Sequence, residues 1–231
     1  MILLFTANQP RHAALARALA GRDELIVMSE PKSLGPFETG TTLARYWQSV
    51  RDAERTIFGA DLPVLSGRVV SVRPGEVSQL DLGVYIERVS HVVVFSSSYL
   101  KPPLIDQLIA RSALNLHVGI APEYRGSAPN FWAEYDGRPD LVGAQVQRLS
   151  PTLDAGEILA EVRVGATDEP DPFLRGMLAC REGIKALIDL LDRPVPWTPV
   201  RTNDPGKGLR YARYSDFTPE VVEAYLARFG R

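Results

Sequence analysis

The sequence has little of the chemistry that disulfides, metal sites or membrane spans require. Cys180 is its single cysteine, so no disulfide can form within the chain, and its apolar helical surroundings predict a buried structural thiol. Only three histidines are present and they form no ligand cluster, so we predict no metal site. No apolar run approaches the roughly 20 residues of a membrane helix, and no basic leader precedes the first strand. We therefore expect a cytoplasmic protein without a membrane partner.

An excess of charge of one sign is also missing. The formal net charge is -2, from 26 Lys and Arg against 28 Asp and Glu. Nucleic-acid-binding proteins normally carry a basic face or stripe, so this balance disfavours a nucleic-acid partner. No Gly-x-Gly-x-x-Gly motif follows the first strand, which disfavours a nicotinamide-binding protein.

Short apolar segments rich in β-branched residues alternate with helical patterns along the chain. This alternation predicts an α/β fold with a Rossmann-like, mostly parallel sheet flanked by helices. A short turn separates the last two strand segments and favours an antiparallel pair. The predicted strands are 2–7, 24–29, 67–72, 91–96, 113–118, 142–149 and 157–164, and the predicted helices are 11–21, 41–57, 103–111, 128–135 and 172–192.

A stretch rich in proline and glycine marks a boundary near residue 193. Beyond it, TPEVVEAYLARF has a cap signal and helical spacing. The segment after the boundary is too small to fold on its own. We therefore predict one main domain over residues 1–192 and a small C-terminal appendage over 193–231 that is not an independent domain.

Two polar residues interrupt the otherwise apolar strand near residues 113–120. Because side chains alternate across a strand, Asn115 and His117 point to one face while apolar residues point to the other. They lie at the carboxyl end of the strand, where open α/β sheets bind ligands. Such a pair taken alone is consistent with two core side chains satisfied by backbone groups. The rigid Pro- and Gly-containing turn that follows favours a catalytic arrangement instead.

A carboxylate follows 37 positions after the histidine, because Asp154 precedes a glycine and the next predicted strand. Taken alone, an Asp-x-Gly sequence is typical of a turn. Beside His117, the same carboxylate can polarise the imidazole or accept a proton. A histidine with an ordinary pKa of about 6.5 needs such a partner to be a cation at neutral pH.

Together these motifs resemble the folate-dependent formyltransferases. The stretch NLHVGIAPEYRGSAP, followed by VGAQVQRLSPTLDAGEIL, has the family's strand-borne Asn-x-His, its Pro/Arg/Gly turn and its Asp-x-Gly-x-Ile. The match covers residues 90–165, and a weaker likeness covers the first 30 residues and the helix containing YWQSVRDAERTIFG. The chain most resembles the short sugar N-formyltransferases.

The resemblance implies that a formyl group moves from N10-formyltetrahydrofolate to a primary amine. By the same resemblance, Asn115 and His117 stabilise the tetrahedral intermediate and Asp154 assists proton transfer. Arg125 is equally consistent with a structural clamp on its own turn. The candidate cofactor-binding residues are Ser98, Tyr99, Leu100, Leu149 and Thr152, and the candidate substrate-binding residues are Asn8, Arg11, Tyr124 and Arg125.

The sequence defines the acceptor less well. The loop after the first strand has no glycine with which to cradle a phosphate, which disfavours glycinamide ribonucleotide. The net charge of -2 disfavours tRNA. An amino-sugar nucleotide is the leading small-molecule acceptor, and an amine of a specialised metabolite, such as an amino acid or peptide, is the alternative. A formyltetrahydrofolate hydrolase is a further alternative, and the resemblance is consistent with a homodimer.

Overall fold

The computed structural model describes residues 1–32, 40–61 and 63–231, which form a seven-stranded sheet, a two-stranded sheet and flanking helices. The strands are β1 (Ile2–Thr6), β2 (Leu25–Ser29), β3 (Arg68–Ser71), β4 (His91–Phe95), β5 (Leu114–His117), β6 (Tyr124–Gly126), β7 (Gly143–Arg148), β8 (Ile158–Arg163) and β9 (Arg210–Ala212). The α-helices are α1 (Pro10–Ala20), α2 (Thr42–Phe58), α3 (Leu104–Ala110), α4 (Pro129–Tyr135), α5 (Pro172–Leu191) and α6 (Pro219–Arg228).

The strand order in the large sheet is β3-β2-β1-β4-β5-β7-β8. The strands from β1 to β5 pair in parallel, whereas β7 is antiparallel to both β5 and β8. The predicted α/β class and the antiparallel last pair are therefore confirmed. The prediction missed β6 and β9, which form a separate parallel pair, because three residues are too short to show a hydrophobic period.

Side chains of the central strands bury both faces of the sheet. In β1, Ile2 and Leu4 pack with α1 and α5, whereas Leu3 and Phe5 pack on the opposite face with α3. This burial on both sides explains why the parallel strands are continuous apolar runs. Cys180 of α5 belongs to the first of these cores and is 1% exposed, as predicted for a structural thiol, and burial raises the pKa of its thiol to about 12.

The longer helices begin where the sequence caps them. The Asp171 carboxylate accepts hydrogen bonds from the first turn of α5, and the Thr41 and Thr218 hydroxyls do the same for α2 and α6. Pro172 and Pro219 occupy the first position of their helices, where the missing N–H costs nothing. Within the described ranges, no helix combines the length and apolar character needed to cross a membrane.

A third apolar cluster, rich in aromatic rings, joins α2, α4, α5 and α6. The ring of Tyr46 in α2 lies 5.6 Å from that of Phe131, 5.4 Å from that of Phe173 and 5.9 Å from that of Tyr225, measured between centroids. Because Tyr225 belongs to α6, the C-terminal segment packs directly on the rest of the protein. The division of the chain near residue 193 stays a prediction.

A buried ion pair fixes α4 against α5. The Nε atom of Arg175 lies 2.5 Å from Oε1 of Glu134, and only 2% and 3% of the two side chains are exposed. A second Arg175 N–H donates to the carbonyl of Glu169. Buried charges depend on such partners, because either charge alone would be left uncompensated away from water.

We predict that Glu134→Ala lowers the free energy of unfolding by about 3–5 kcal/mol, because it leaves the Arg175 charge buried without its partner. Urea denaturation followed by circular dichroism measures the loss. The matched control is Glu182→Ala, which breaks exposed pairs with Arg181 and Lys185 on α5. That variant should cost less than about 1 kcal/mol. Equal losses in the two variants would contradict the role given to the buried pair.

Candidate active site

A cavity of about 580 Å³ opens at the carboxyl ends of β4 and β5. Asn115 and His117, on alternate positions of β5, both line it, as does Asp154 from the loop between β7 and β8. The lining also includes the turn after β4, Ser96–Leu100, and residues of α2, α4, α5 and α6. The structure therefore brings the three predicted catalytic residues together at the ligand-binding edge of the sheet.

The Asp154 carboxylate connects the three catalytic candidates. Its Oδ1 atom lies 3.1 Å from Nδ1 of His117 and accepts a 3.3 Å hydrogen bond from Nδ2 of Asn115. Its Oδ2 atom accepts a 3.0 Å hydrogen bond from the backbone N–H of Gly126. Only 9% of Asp154 and 6% of His117 is exposed, so water screens these contacts poorly.

Both nitrogens of the His117 ring face hydrogen-bond acceptors. Nδ1 faces the Asp154 carboxylate and Nε2 lies 3.2 Å from the carbonyl oxygen of Tyr124. A neutral imidazole would place a lone pair against one of these oxygens, whereas the imidazolium can donate to both. Burial lowers the pKa of His117, but the Asp154 charge and the hydrogen bonds to Asp154 and Tyr124 outweigh burial and raise it above the ordinary value.

The pKa of the partner carboxylate, Asp154, shifts in the opposite direction to that of His117. Burial tends to raise the pKa of Asp154, but the charge and hydrogen bond of His117, together with the Gly126 N–H, lower it below the ordinary value. The two shifts and the hydrogen-bond geometry therefore favour a preformed imidazolium–carboxylate pair.

Backbone geometry places this pair. Asp154 has φ of 51°, in the left-handed region that aspartate tolerates better than most residues. A side chain on Gly156 would put its Cβ 1.7 Å from the Arg148 carbonyl oxygen, so the Asp-x-Gly spacing needs this glycine for close contact with β7. A Cβ on Gly119 would lie 2.7 Å from Nε2 of His117. These two glycines therefore leave space for the Asp154 loop and for the His117 ring.

Two side chains distant in sequence hold the Asp154 loop. The Arg125 guanidinium donates to the Leu153 carbonyl, from Nη2 at 2.6 Å and from Nε at 3.1 Å. Nδ2 of Asn203 donates to the carbonyls of Asp154 at 3.0 Å and Gly156 at 2.9 Å. Sequence reasoning missed Asn203, since nothing in the local sequence relates it to a loop almost 50 residues earlier.

The candidate folate residues fall into two groups. Ser98, Tyr99 and Leu100 line the cavity, whereas Leu149 and Thr152 are not among the residues that line it. The Leu149 N–H donates to the Ala113 carbonyl at 2.7 Å, so this residue continues the sheet. Thr152 is exposed at the tip of its loop. From that loop the cavity wall receives Leu153 and Asp154 instead.

Two charged residues that sequence reasoning did not select shape the turn after β4. Oε2 of the fully buried Glu30 accepts a 2.6 Å hydrogen bond from the Ser98 N–H, and its Oε1 accepts one of 2.8 Å from the Gly75 N–H. Nζ of Lys32 donates to the Ser96 carbonyl at 2.6 Å. A charged pair directly after a buried strand is the sequence signal that could have indicated them.

The candidate substrate residues are also divided. Of this set only Arg11 lines the cavity, and its guanidinium is paired at 2.7 Å with Glu54. Asn8 instead holds the backbone, since its Oδ1 accepts a 2.9 Å bond from the Lys32 N–H. The Tyr124 ring is 1% exposed in the aromatic core, with its hydroxyl 3.2 Å from Asp136, so this residue reaches the site only through its carbonyl. Arg125 does not line the cavity, and its guanidinium instead holds the Asp154 loop by donating to the Leu153 carbonyl.

No family model matches the chain. A methionyl-tRNA formyltransferase of Listeria monocytogenes serotype 4a (strain HCC23) is 24% identical over 175 residues, which cover 68% of this chain and 56% of that relative. The matched region covers 45% of a methionyl-tRNA formyltransferase of Protochlamydia amoebophila (strain UWE25). The chain thus spans about half the length of the curated relatives it matches.

Solved structures match over nearly the whole chain. A sugar N-formyltransferase from Shewanella sp FDAARGOS_354 superposes with a TM-score of 0.53 at 17% identity, covering 94% of this chain and 78% of that one. The N-formyltransferase from Helicobacter canadensis, in complex with folinic acid and dTDP-3-aminofucose, has a TM-score of 0.51 at 10% identity, covering 100% and 83%. These likenesses show that the chain has the formyltransferase fold, and they confirm its resemblance to the folate-dependent formyltransferase family.

Proposed function

We propose that the protein is an N-formyltransferase that moves a formyl group from N10-formyltetrahydrofolate to a primary amine of a small molecule. The observation that carries this proposal is the buried constellation of Asn115, His117 and Asp154 on one wall of a 580 Å³ cavity. It combines a neutral hydrogen-bond donor, a cation and a carboxylate, which are the groups that acyl transfer to an amine uses.

The side of the cavity next to Ser96–Leu100 fits the folate donor. Within the described residues, neither the N–H nor the carbonyl of Leu100 has a hydrogen-bond partner, although the residue is only 5% exposed. Buried backbone N–H and carbonyl groups normally have hydrogen-bond partners. A ligand with adjacent donors and acceptors, such as a pterin ring, would supply both partners for Leu100. Leu100 and Leu153 supply apolar surface on the same wall.

In the proposed reaction, Asn115 stabilises the oxygen that gains negative charge. When bound, N10-formyltetrahydrofolate would supply the formyl group, whose carbon would first bond to the amine nitrogen and then lose its bond to N10, and N10 would gain a proton. A carboxamide nitrogen carries two hydrogens, and one of those on Asn115 is used in the 3.3 Å bond to Asp154. The other donates to the developing oxyanion, a contact typically worth about 2.7–4 kcal/mol of barrier.

His117 and Asp154 handle the charges and the proton. The imidazolium of His117 adds a positive charge beside the same oxyanion. Its Nε2–H, which lies 3.2 Å from the Tyr124 carbonyl in this structure, leaves that contact to supply a proton to the leaving nitrogen, while Nδ1–H stays on Asp154. The Asp154 carboxylate holds the imidazolium and takes the proton that the attacking amine loses, directly or through a water molecule. One proton leaves the amine and one reaches N10, so the products are an N-formyl amide and tetrahydrofolate.

The sequence analysis leaves two classes of acceptor amine. Amino-sugar nucleotides are supported by the fold shared with the Helicobacter canadensis enzyme, which was solved with dTDP-3-aminofucose. Amines of specialised metabolites are the alternative. An aminoacyl-tRNA, suggested by the names of the curated relatives, is less well supported, because the net charge of -2 offers no general attraction for phosphates. The homodimer expected from the resemblance stays a prediction.

We predict that the purified protein releases tetrahydrofolate from N10-formyltetrahydrofolate only when an acceptor amine is present. The panel contains nucleotide-linked 4-amino sugars, amino acids and apolar primary amines, and mass spectrometry detects the formamide. One formamide should form for each tetrahydrofolate released. Release at the same rate without any amine would identify a hydrolase, and no release with the whole panel would contradict formyl transfer.

We predict that removal of each catalytic side chain lowers kcat while the donor still binds. Asn115→Ala should reduce kcat by about 10²–10³ because it removes one oxyanion donor. His117→Ala and Asp154→Ala should each reduce it by about 10²–10⁴. The control is His91→Gln at the opposite end of β4, which should keep the wild-type kcat. An Asp154→Ala variant with undiminished kcat would contradict the proton-transfer role.

We predict that His117 is the single histidine that titrates above the ordinary pKa of about 6.5. Burial lowers the pKa of His12 and of His91, whereas the Asp154 carboxylate favours the charged form of His117. In Asp154→Asn, burial acts unopposed by the carboxylate, so the pKa of His117 should fall below 6.5. NMR titration of the three imidazoles measures this, and a wild-type His117 that titrates below 6.5 would contradict the preformed ion pair.

A further inference from the structure

Part of the cavity lining is aromatic, and we call this part the aromatic chamber. We define this chamber by six lining residues from α2, α4, α5 and α6: Tyr46, Trp47, Val50, Phe131, Phe173 and Tyr225. None of these six residues belongs to the turn after β4, which is assigned above to the donor. The transferase mechanism leaves this space without an assigned occupant.

Two hydroxyl groups of the chamber have no hydrogen-bond partner among the residues that the structure describes. Tyr46 is 7% exposed and Tyr225 is 3% exposed, and within the described ranges neither hydroxyl makes a hydrogen bond. Both oxygens retain some accessible surface, and both residues line the cavity. Burial raises the pKa of both phenols, so each keeps its proton and can donate or accept. Buried hydroxyls are normally hydrogen-bonded, and these two are placed to bond a molecule in the chamber.

The helix beside them leaves room for such a molecule. Gly176 of α5 lines the cavity, and among the described residues no atom would lie within 4 Å of a Cβ at this position. A glycine in a helix interior is destabilising relative to alanine. The open space in front of Gly176 is therefore kept free at a cost to the helix.

The charges of the cavity are already compensated. Arg11 is the only Lys or Arg among the described residues that line it, and the buried Glu54 neutralises it at 2.7 Å. His117 is paired with Asp154 in the same way. Among the described lining residues, a nucleoside diphosphate would therefore meet no unpaired cation.

We propose that the aromatic chamber is the acceptor subsite and takes a primary amine carried on an apolar ring or chain with one uncharged polar group. The rings of the chamber bury the apolar part, and the hydroxyls of Tyr46 and Tyr225 hydrogen-bond the hydroxyl or carbonyl of the acceptor. This inference rests on the proposed formyl transfer, and it selects the metabolite-amine class over amino-sugar nucleotides.

Binding and turnover test the subsite separately. Isothermal titration calorimetry on the full chain measures the Kd of phenylalkyl amines with and without a ring hydroxyl, of alkyl amines of matched size, and of a dTDP-linked amino sugar. The variants Tyr46→Phe and Tyr225→Phe remove one hydroxyl each and keep the ring. Gly176→Leu fills the open space. Tyr214→Phe, on a tyrosine that is 73% exposed, is the matched control. Thermal melting checks that each variant is folded.

The hydroxylated apolar amines should bind more tightly than the dTDP-linked sugar. Each Tyr→Phe change should weaken their binding about threefold to tenfold, the range for one neutral hydrogen bond. Gly176→Leu should abolish amine binding while the folate donor still binds, and Tyr214→Phe should change neither. Tighter binding of the nucleotide sugar, or amine binding unaffected by all three chamber variants, would overturn the subsite. Amines that bind as expected but are never formylated would leave the subsite standing and contradict the proposed transferase activity.

Discussion

The rest of the site depends on the contacts that the Asp154 carboxylate makes. It contacts His117, Asn115 and the Gly126 N–H at once, and it is buried from water. A buried carboxylate is stable only when charge and hydrogen bonds compensate its lost hydration. The surrounding structure must therefore hold several elements in register, which explains why the clamps Arg125 and Asn203 both bond the backbone of its loop.

The clustering of the three catalytic candidates could be predicted from the sequence. Strand alternation places Asn115 and His117 on one face, and the carboxyl end of a parallel strand is a known position for ligands. The position of Asp154 followed from its place before the next strand together with the family resemblance. The signals for Asn115 and His117 lie within a few residues of their side chains, whereas Asp154 also needed the resemblance, which covers residues 90–165. The α/β class was predictable because each strand and helix pattern is itself local.

The supporting residues could not be predicted because their partners are distant in the chain. Asn203 reaches Asp154 across 49 residues, and the β6–β9 pair joins segments more than 80 residues apart. Tyr124 is a similar case, since the alternation of so short a strand does not reveal which face is buried. Sequence reasoning placed its side chain toward the acceptor, whereas the structure packs its ring in the core and presents its carbonyl to His117.

The paired charges of the cavity suit both the neutral reactants and the charged tetrahedral adduct of the proposed reaction. An amine and a formyl group are both neutral before they react, and their tetrahedral adduct is a zwitterion with an oxyanion and an ammonium. The imidazolium–carboxylate pair has the same separation of charge, so each charge of the adduct meets its opposite without a net change in the cavity. Because the pair is formed before the substrates react, little reorganisation is needed as those charges appear. A site with a single unpaired charge would stabilise only one end of the zwitterion.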